Sequence, residues 1–125
     1  VEYANQRRQF GKPIIEHQGL QFLLADMTCA MAAARALWQQ SMSMLESDHS
    51  RRSSTYCAFA KLAATEAAMK VTVDAVQVLG GNGLSRAYPV ERFMRDVKAF
   101  EIFDGTNQIQ KMLIGRHLQK EGVPF

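Results

Sequence analysis

Apolar residues recur every three or four positions along two long stretches of the chain, and this helical period restricts its possible folds more than any other feature. The first stretch runs from Glu16 to Glu46 and the second from about Ser53 to Leu79. Roughly thirty residues at about 1.5 Å each make a rod of about 45 Å. The first stripe comprises Leu20, Leu23, Met27, Met31, Ala34, Leu37 or Trp38, Met42 and Leu45, and the second comprises Tyr56, Ala60, Ala63, Ala67, Val71, Val76 and Leu79.

Shorter helical segments flank the two long ones. Val1 to about Gln9 is typical of the tail of a helix, which Gly11-Lys12-Pro13 would end because Pro cannot continue a helix. A polar break at Ser47–Ser50 separates the long helices, and two shorter helices are expected after them. The runs YCAF and VTV tolerate β structure but lie inside helical patterns, so no strand is predicted. The sequence therefore predicts an all-α, up-and-down bundle of the four-helix type.

Length and composition are those of one globular domain. With 125 residues, residues 1–125 are expected to form a single domain with one core, to which the Met-rich stripe of the first long helix would contribute. The many alanines of the second helix favour close approach of a neighbouring helix. The chain begins without Met in what resembles the middle of a helix, so we expect it to be a piece of a longer polypeptide.

Charge and the rarer residues exclude several classes of function. The net charge of +3 suits phosphate-rich ligands, whereas the interspersed acids argue against a nucleic-acid surface. Cys29 and Cys57 show no CxxC spacing, so they are expected to be small buried hydrophobes in a reducing compartment. His17, His49 and His117 lack metal-ligand spacing, and no metal site is predicted. No uninterrupted apolar run is expected to span a membrane, and no signal peptide is visible.

A glycine-containing turn and an acidic turn follow the second long helix. Gly80, Gly81 and Gly83 can take positive φ and let a ligand approach bare backbone. The loop lacks the third glycine of GxGxxG and the preceding strand, so a dinucleotide fingerprint is excluded, and a simple helix cap remains an alternative. Pro89 suits the first turn of a helix.

Asp104-Gly105-Thr106 forms the acidic turn, and Thr106 is a suitable N-cap for the helix that follows it. A carboxylate placed there is positioned like a catalytic base, although most aspartates in turns are structural.

Four motifs in register resemble the C-terminal domain of the acyl-CoA dehydrogenases, and the short- and medium-chain type is the most similar. They are RRQFGKPIIEHQGLQFLLADM, QVLGGNG, YPVERFMRD and IFDGTNQIQ, and together they cover essentially the whole chain. The resemblance implies that flavin adenine dinucleotide (FAD) is the cofactor and that acyl-CoA is the substrate. It also implies a homo-oligomer (a dimer of dimers), electron-transferring flavoprotein as the electron acceptor, and a location in the cytoplasm or mitochondrial matrix.

The same resemblance assigns roles to individual residues. Arg7 would bind the cofactor's pyrophosphate, because a guanidinium pairs with two phosphate oxygens at once, and Phe10 would lie against the cofactor. The residues matching the family's remaining FAD contacts are His17, Gln18, Gln77, Val78, Leu79, Gly80, Gly81, Thr106 and Gln108. Arg52 and Gly105 match positions close to the acyl-CoA substrate.

In the family a carboxylate removes the α proton of the thioester while hydride passes from the β carbon to the flavin. The common pattern has Glu where this chain has Asp104, which is shorter by about 1.5 Å. Three alternatives follow: Asp104 is the base in a tightened site, the base is a Glu upstream of Val1, or the protein is a non-catalytic homologue. A helical interaction module, either a subunit that only donates flavin contacts or a DNA-associated relative, is the competing class of function.

Overall fold

The computed structural model describes residues 1–47 and 49–124, and helices make up most of them. The five α-helices are α1 (Glu2–Gln6), α2 (Gln18–Ser47), α3 (Arg51–Leu79), α4 (Val90–Phe100) and α5 (Asn107–Glu121). Two short strands, β1 (Arg8–Gln9) and β2 (Lys12–Pro13), and two 3-10 helices, Ile14–Glu16 and Gly80–Leu84, complete the described elements. The predicted all-α bundle is confirmed.

Helix α3 is the centre of the bundle, because α2, α4 and α5 all pack against it. The short connection from Ser47 to Arg51 folds α2 back along α3, so the two long helices run antiparallel as predicted. Two of the buried alanines, Ala58 and Ala60, lie on α3 and allow the close approach that its composition favoured. The buried residues of α3 are Ser53, Thr55, Tyr56, Ala58, Ala60, Thr65 and Val78.

Helix α2 is much less buried than the sequence predicted. Only Ala34 and Ser41 are buried along it, whereas Met31, Trp38 and Met42 are exposed. The expectation that its Met-rich stripe is core is therefore wrong at Met31, Trp38 and Met42, because α2 packs mainly against one side of α3, while the other residues of the stripe are buried or half-buried. Both cysteines were expected to be buried, but Cys29 on α2 is exposed and Cys57 on α3 is half-buried.

Helix α2 also bears on the expectation that no segment could span a membrane. Its 30 residues carry only three charges, and an 18-residue window has a mean hydropathy of 1.3. By length and composition α2 is therefore apolar enough to cross a membrane, although its charged residues interrupt the apolar run, and the expectation concerned an uninterrupted one. Core helices of soluble proteins also meet these criteria, so length and composition alone do not show that α2 crosses a membrane.

The N-terminal segment differs from the prediction. Helix α1 ends at Gln6, three residues before the predicted end, and the chain then forms a hairpin in which Arg8 pairs with Pro13 and Gln9 with Lys12. Phe10 and Gly11 form its two-residue turn at φ values of 54° and 81°, the left-handed conformation that tight hairpins require. The expectation of no strand is wrong here, because the positive-φ turn reverses the chain before Pro13 is reached.

The ends of the remaining helices are set by local caps. Ser50 begins α3 by accepting a hydrogen bond from the Arg52 amide at 3.1 Å, so α3 starts two residues earlier than predicted. Pro89 precedes α4 and Thr106 caps α5, as predicted. The break between the two long helices is shorter than the predicted Ser47–Ser50, because α2 includes Ser47. Asp48, which is part of the predicted break, lies outside the described residues.

Candidate functional site

The end of α1, the hairpin and the Gly80–Leu84 turn enclose a hollow of about 320 Å³, called here the glycine hollow. Arg7 and all of Gln77 to Gly81 line it, so the structure brings together six residues that the sequence assigned to FAD. Its lining residues are Tyr3, Arg7, Gln9, Ile14, Gln77, Val78, Leu79, Gly80, Gly81 and Asn82.

Tyr3 connects residues on the wall of the glycine hollow by hydrogen bonds, and the sequence analysis did not identify it. Its hydroxyl donates to the Leu79 carbonyl oxygen at 3.4 Å and accepts from Asn82 Nδ2 at 2.8 Å. The Tyr3 ring also meets the Tyr88 ring edge to face, with centroids 5.7 Å apart. The position of Tyr3, four residues before Arg7 in a helical pattern, was the signal that could have identified it.

The three glycines of the turn serve different purposes. Gly80 takes a φ of 57°, whereas Gly81 and Gly83 do not take positive φ, so that prediction holds only for Gly80. A Cβ atom at Gly80 or Gly81 would meet nothing within 4 Å, so bare backbone lines the open hollow there. At Gly83 a Cβ would lie 2.5 Å from the Val76 carbonyl oxygen, so this glycine lets the turn pack directly on α3.

The surroundings of the glycine hollow favour an anionic ligand. Arg7 is exposed, and its guanidinium has no carboxylate partner in the described part of the chain. Val78 is buried, so only its backbone can reach a ligand, whereas the Gln77 side chain is exposed. A free guanidinium beside uncovered backbone matches the needs of a pyrophosphate group.

Phe10, His17 and Gln18 lie on the hairpin side of the molecule. Phe10 is 91% exposed, and its ring meets the His17 ring edge to face with centroids 5.9 Å apart. His17 Nε2 lies 3.2 Å from the Gln9 carbonyl oxygen, which requires that Nε2 carry the proton and donate. Gln18 is exposed at the first position of α2. The aromatic edge at the hairpin tip is therefore free to contact a flat ligand.

Asp104 lies on the turn between α4 and α5, called here the acidic turn (Glu101–Asn107). It is exposed and takes a φ of 53°, and Gly105 follows at 85°. The Asn107 amide donates to the Glu101 carbonyl oxygen at 3.0 Å and closes the turn. Thr106 Oγ1 accepts from the Ile109 amide at 3.2 Å, as the N-cap prediction required. A left-handed aspartate is uncommon and strained, and such conformations concentrate at functional sites.

Two buried amide side chains support the acidic turn from below, and neither was singled out from the sequence. Gln110, 9% exposed, donates from Nε2 to the Gly105 carbonyl oxygen at 3.2 Å. Asn107, 7% exposed, accepts at Oδ1 from Lys61 Nζ and from Thr65 Oγ1, each at 2.9 Å. Because both donors to Asn107 belong to α3, no local sequence signal could have identified the contacts of Asn107.

Arg52 lies in a different region, beside the C-terminal end of α5. It borders a hollow of about 350 Å³ with His117, Glu121, Val123 and Pro124. His117 is only 4% exposed, and its Nδ1 has no hydrogen-bond partner among the described residues, although Glu121 Oε2 lies 3.6 Å away. His117 also lines a second hollow of about 250 Å³.

Positively charged side chains surround these two hollows. Arg51 lies 3.6 Å from Glu121 Oε1, which is its carboxylate partner. Three further cations, Arg52, Arg116 and Lys120, have no carboxylate partner in the described part of the chain. We call these four cations, with His117 and Glu121, the cationic cluster. The residues lining the second hollow are Arg51, Ser54, Thr55, Leu113, Arg116, His117 and Lys120.

The predicted site residues do not share one cavity within this chain. Thr106 and Gln108 border a small polar hollow of about 200 Å³, and Asp104 lines neither that hollow nor the glycine hollow. Among residues 1–47 and 49–124, no group of three or more His, Cys, Asp or Glu side chains could hold a metal ion. The arrangement therefore offers a hollow bordered by bare backbone, an exposed carboxylate and a cationic cluster on separate surfaces.

Known proteins share this arrangement of helices and these motifs. The family model for the C-terminal domain of acyl-CoA dehydrogenases matches residues 1–119. Cyclohexane-1-carbonyl-CoA dehydrogenase from Geobacter metallireducens is 40% identical over 123 residues, which make up 98% of this chain and 32% of that protein.

Solved structures agree. Butyryl-CoA dehydrogenase from Megasphaera elsdenii matches with a TM-score of 0.92 and 42% identity, over 96% of this chain and 31% of that one. The FAD complex of PigA matches with a TM-score of 0.89 and 30% identity, over 94% and 30%. The chain thus spans about a third of the length of the proteins it matches. By its helices, its motifs and these matches, the chain belongs to the acyl-CoA dehydrogenase family, whose C-terminal domain it resembles throughout.

Proposed function

We propose that the protein containing this chain is an FAD-dependent acyl-CoA dehydrogenase that introduces a double bond between the α and β carbons of an acyl-CoA thioester. The observation that carries the proposal is the acidic turn, which presents an exposed, left-handed Asp104 within the IFDGTNQIQ motif of the family. A strained turn is retained where the position of its side chain matters. Asp104 would accept the α proton, which requires a carboxylate within hydrogen-bond reach of that carbon.

The glycine hollow suits part of a dinucleotide cofactor. Gly80 and Gly81 leave the space that a Cβ would fill, and Arg7 supplies an unpaired cation beside it. Arg7 would bind the pyrophosphate, and Phe10 would pack against a ring of the cofactor. FAD, when bound, supplies the acceptor for the hydride that leaves the β carbon. A hollow of about 320 Å³ holds only a fraction of such a ligand, so further contacts must come from other parts of the assembled protein.

The cationic cluster suits the phosphates of coenzyme A. Arg52, Arg116 and Lys120 carry three positive charges that the single carboxylate of Glu121 does not neutralise. The buried Nδ1 of His117 adds a polar group without a hydrogen-bond partner at the same place. An incoming phosphate would satisfy both needs, since charge-assisted hydrogen bonds are the stronger class. Gly105 would lie beside the thioester, next to the base.

The partners follow from the same assignment. The predicted cofactor residues lie on separate surfaces of the chain, which supports a homo-oligomer in which one subunit contributes contacts to its neighbour's FAD. The exposed apolar face of α2 offers an extended surface for such assembly. Electrons would leave through electron-transferring flavoprotein in the cytoplasm or mitochondrial matrix.

Replacing Asp104 by Asn in the intact protein tests the proposal. Asn has nearly the same shape but cannot accept a proton, so FAD content and thioester affinity should be retained. The rate of anaerobic flavin bleaching by butyryl-CoA or cyclohexane-1-carbonyl-CoA should fall by roughly three or more orders of magnitude. Asp96→Asn is the matched control, because Asp96 is an exposed carboxylate on the neighbouring α4. Wild-type bleaching by Asp104→Asn would show that the base lies elsewhere.

A further inference from the structure

We propose that Asn107 is a positioning residue, which fixes the acidic turn on helix α3 in the geometry that proton abstraction by Asp104 needs. This inference rests on the proposed function. Asn107 is not offered as a residue that touches substrate or cofactor. Its role is to join the turn that carries the base to the most buried helix of the bundle.

The backbone of Asn107 closes the acidic turn. Its amide donates to the Glu101 carbonyl oxygen at 3.0 Å, so the turn is a closed loop with Asp104 midway between the two ends. Asp104 and Gly105 both take positive φ within this loop. Because the conformation is strained, it persists only where surrounding contacts determine it. The position of the base therefore depends on where the two ends of the loop are held.

The side chain of Asn107 holds one of those ends. Lys61 Nζ and Thr65 Oγ1 both donate to Asn107 Oδ1, each at 2.9 Å. Lys61 and Thr65 are four residues apart on α3, one helical turn, so they fix the amide oxygen at one point along that helix. The hydrogen bond from Lys61 is charge-assisted, and Asn107 is 7% exposed, so losing the acceptor would deprive the part-buried Lys61 ammonium of its partner on the turn. The Thr65 hydroxyl would turn to the Lys61 and Leu62 carbonyl oxygens, which lie 3.0 and 3.2 Å away, and would no longer hold the turn.

Other contacts near the turn do not fix it to α3 in the same way. Gln110 and Thr106 bond within the turn and α5, so they would move together with it. Lys111 forms an ion pair with Glu66 on α3 at 2.8 Å, but both side chains are about half exposed. Exposed pairs of that kind contribute little. The buried Asn107 amide is therefore the stronger link between the turn and α3.

The function of this link is to hold the Asp104 carboxylate in a precise position. A shift of about 1 Å in a reacting group can lower the rate of a chemical step about a hundredfold. The Asp104 side chain is shorter than that of Glu, so a shift of the backbone is harder for its carboxylate to compensate. Loss of the Asn107 acceptor should therefore slow proton removal more than it weakens binding.

The test compares Asn107→Ala, Asn107→Asp and Lys111→Ala in the intact protein, with butyryl-CoA and its α-deuterated form as probes. Asn107→Ala should lower the rate of flavin reduction roughly 30- to 100-fold and increase the α-deuterium isotope effect. Its KM and FAD content should stay within about threefold of wild type. Asn107→Asp should return the rate to within about fivefold, since a carboxylate accepts the same two hydrogen bonds. Lys111→Ala should leave the rate unchanged.

A wild-type rate in Asn107→Ala would overturn the inference, and so would equal impairment of Asn107→Ala and Asn107→Asp. If Asn107→Ala does not retain FAD, Thr65→Val decides the matter. It removes one donor with little change of shape, and it should slow flavin reduction about three- to tenfold with an increased isotope effect. A wild-type rate and isotope effect in Thr65→Val would also overturn the inference.

Asp104→Asn in the same assay separates the two proposals. Wild-type flavin reduction by Asp104→Asn would remove the proposed base, and with it the reason for positioning the turn. An inactive Asp104→Asn together with a fully active Asn107→Ala would leave the base in place and refute only the role of Asn107.

Discussion

The molecule has two glycine-containing turns that differ in what they present to solvent. They are the Gly80–Leu84 turn after α3 and the acidic turn before α5. The first keeps side chains away from its surface, with Gly80 and Gly81 open to the glycine hollow. The second projects the side chain of Asp104 outward and holds it on buried amides. Glycine thus has two uses: in the first turn it leaves the backbone uncovered, and in the second it allows the backbone to bend next to the carboxylate of Asp104.

The space around the glycines separates the two turns further. Gly80 and Gly105 both take positive φ, yet a Cβ at Gly80 would meet nothing within 4 Å. A Cβ at Gly105 would lie 2.9 Å from Gln110 Nε2. The first turn is therefore supported away from its open face, whereas the second is supported directly at Gly105, the residue next to Asp104.

The largest difference between the turns is expected for Gly105→Ala compared with Gly80→Ala. Both changes strain a left-handed backbone, but only Gly105→Ala also displaces the Gln110 side chain. Gly105→Ala should therefore lower the rate of flavin reduction in the FAD-loaded protein about a hundredfold. Gly80→Ala should weaken FAD binding but leave the rate of the FAD-loaded protein within about threefold. Stopped-flow bleaching measures both, and equal rates for the two variants would erase the contrast.

Gly83→Ala compared with Gly81→Ala tests how the first turn is supported. The new Cβ at Gly83 would collide with backbone of α3, 2.5 Å from the Val76 carbonyl oxygen, which cannot move aside as a flexible side chain could. Gly83→Ala should reduce the free energy of unfolding by about 1–3 kcal/mol, whereas Gly81→Ala should change it by less than about 0.5 kcal/mol. Urea unfolding of both variants checks this, and a neutral Gly83→Ala would mean that the turn is free to shift.

Arg7→Gln measures the charge at the glycine hollow. Removing the free guanidinium should raise the Kd for FAD about tenfold, and it should weaken the dependence of FAD binding on salt. Arg95→Gln is the control, because Arg95 is exposed on α4 and pairs with Glu91. Titration of the apoprotein with FAD at two ionic strengths gives the answer. If both variants bind FAD like the wild type, the hollow does not receive the pyrophosphate.

Tyr3→Phe is expected to have the smallest effect. It deletes the hydroxyl that joins Leu79 and Asn82 across the glycine hollow but keeps the ring against Tyr88. The free energy of unfolding should fall by about 0.5–1.5 kcal/mol. Tyr88→Phe is the matched control, since it keeps the ring contact and leaves the Tyr3 hydroxyl in place. A larger loss in Tyr88→Phe would reverse the order of these two tyrosines.

The features predicted correctly from the sequence are those that depend on interactions between residues close together in the chain. The apolar period gave both long helices, and the caps at Pro89 and Thr106 were correct because each acts on the residues directly beside it. The hairpin after α1 was missed because an aromatic residue, Phe10, rarely takes the left-handed conformation that its turn requires.

Features that depend on distant parts of the chain were not accessible. The apolar stripe on α2 was visible in the sequence, but which of its residues pack against α3 was not, and Met31, Trp38 and Met42 are exposed. The partners of Asn107 lie 42 and 46 residues away, so no local pattern connects them. Arg7 and the Gln77–Gly81 segment were placed together by family resemblance, and the structure gathers them in one hollow.

The central place of α3 also has a consequence for the order in which the molecule opens. Amide protons in the middle of α3 can reach solvent only when α2, α4 and α5 separate from it, which approaches complete unfolding. Fraying of α5 releases Asn107 from its donors while α3 remains intact. Deuterium uptake should therefore be slowest in α3 and faster at the start of α5. Asp104 is thus carried by a part of the bundle that opens early, and the buried Asn107 side chain links that part to the helix that opens last.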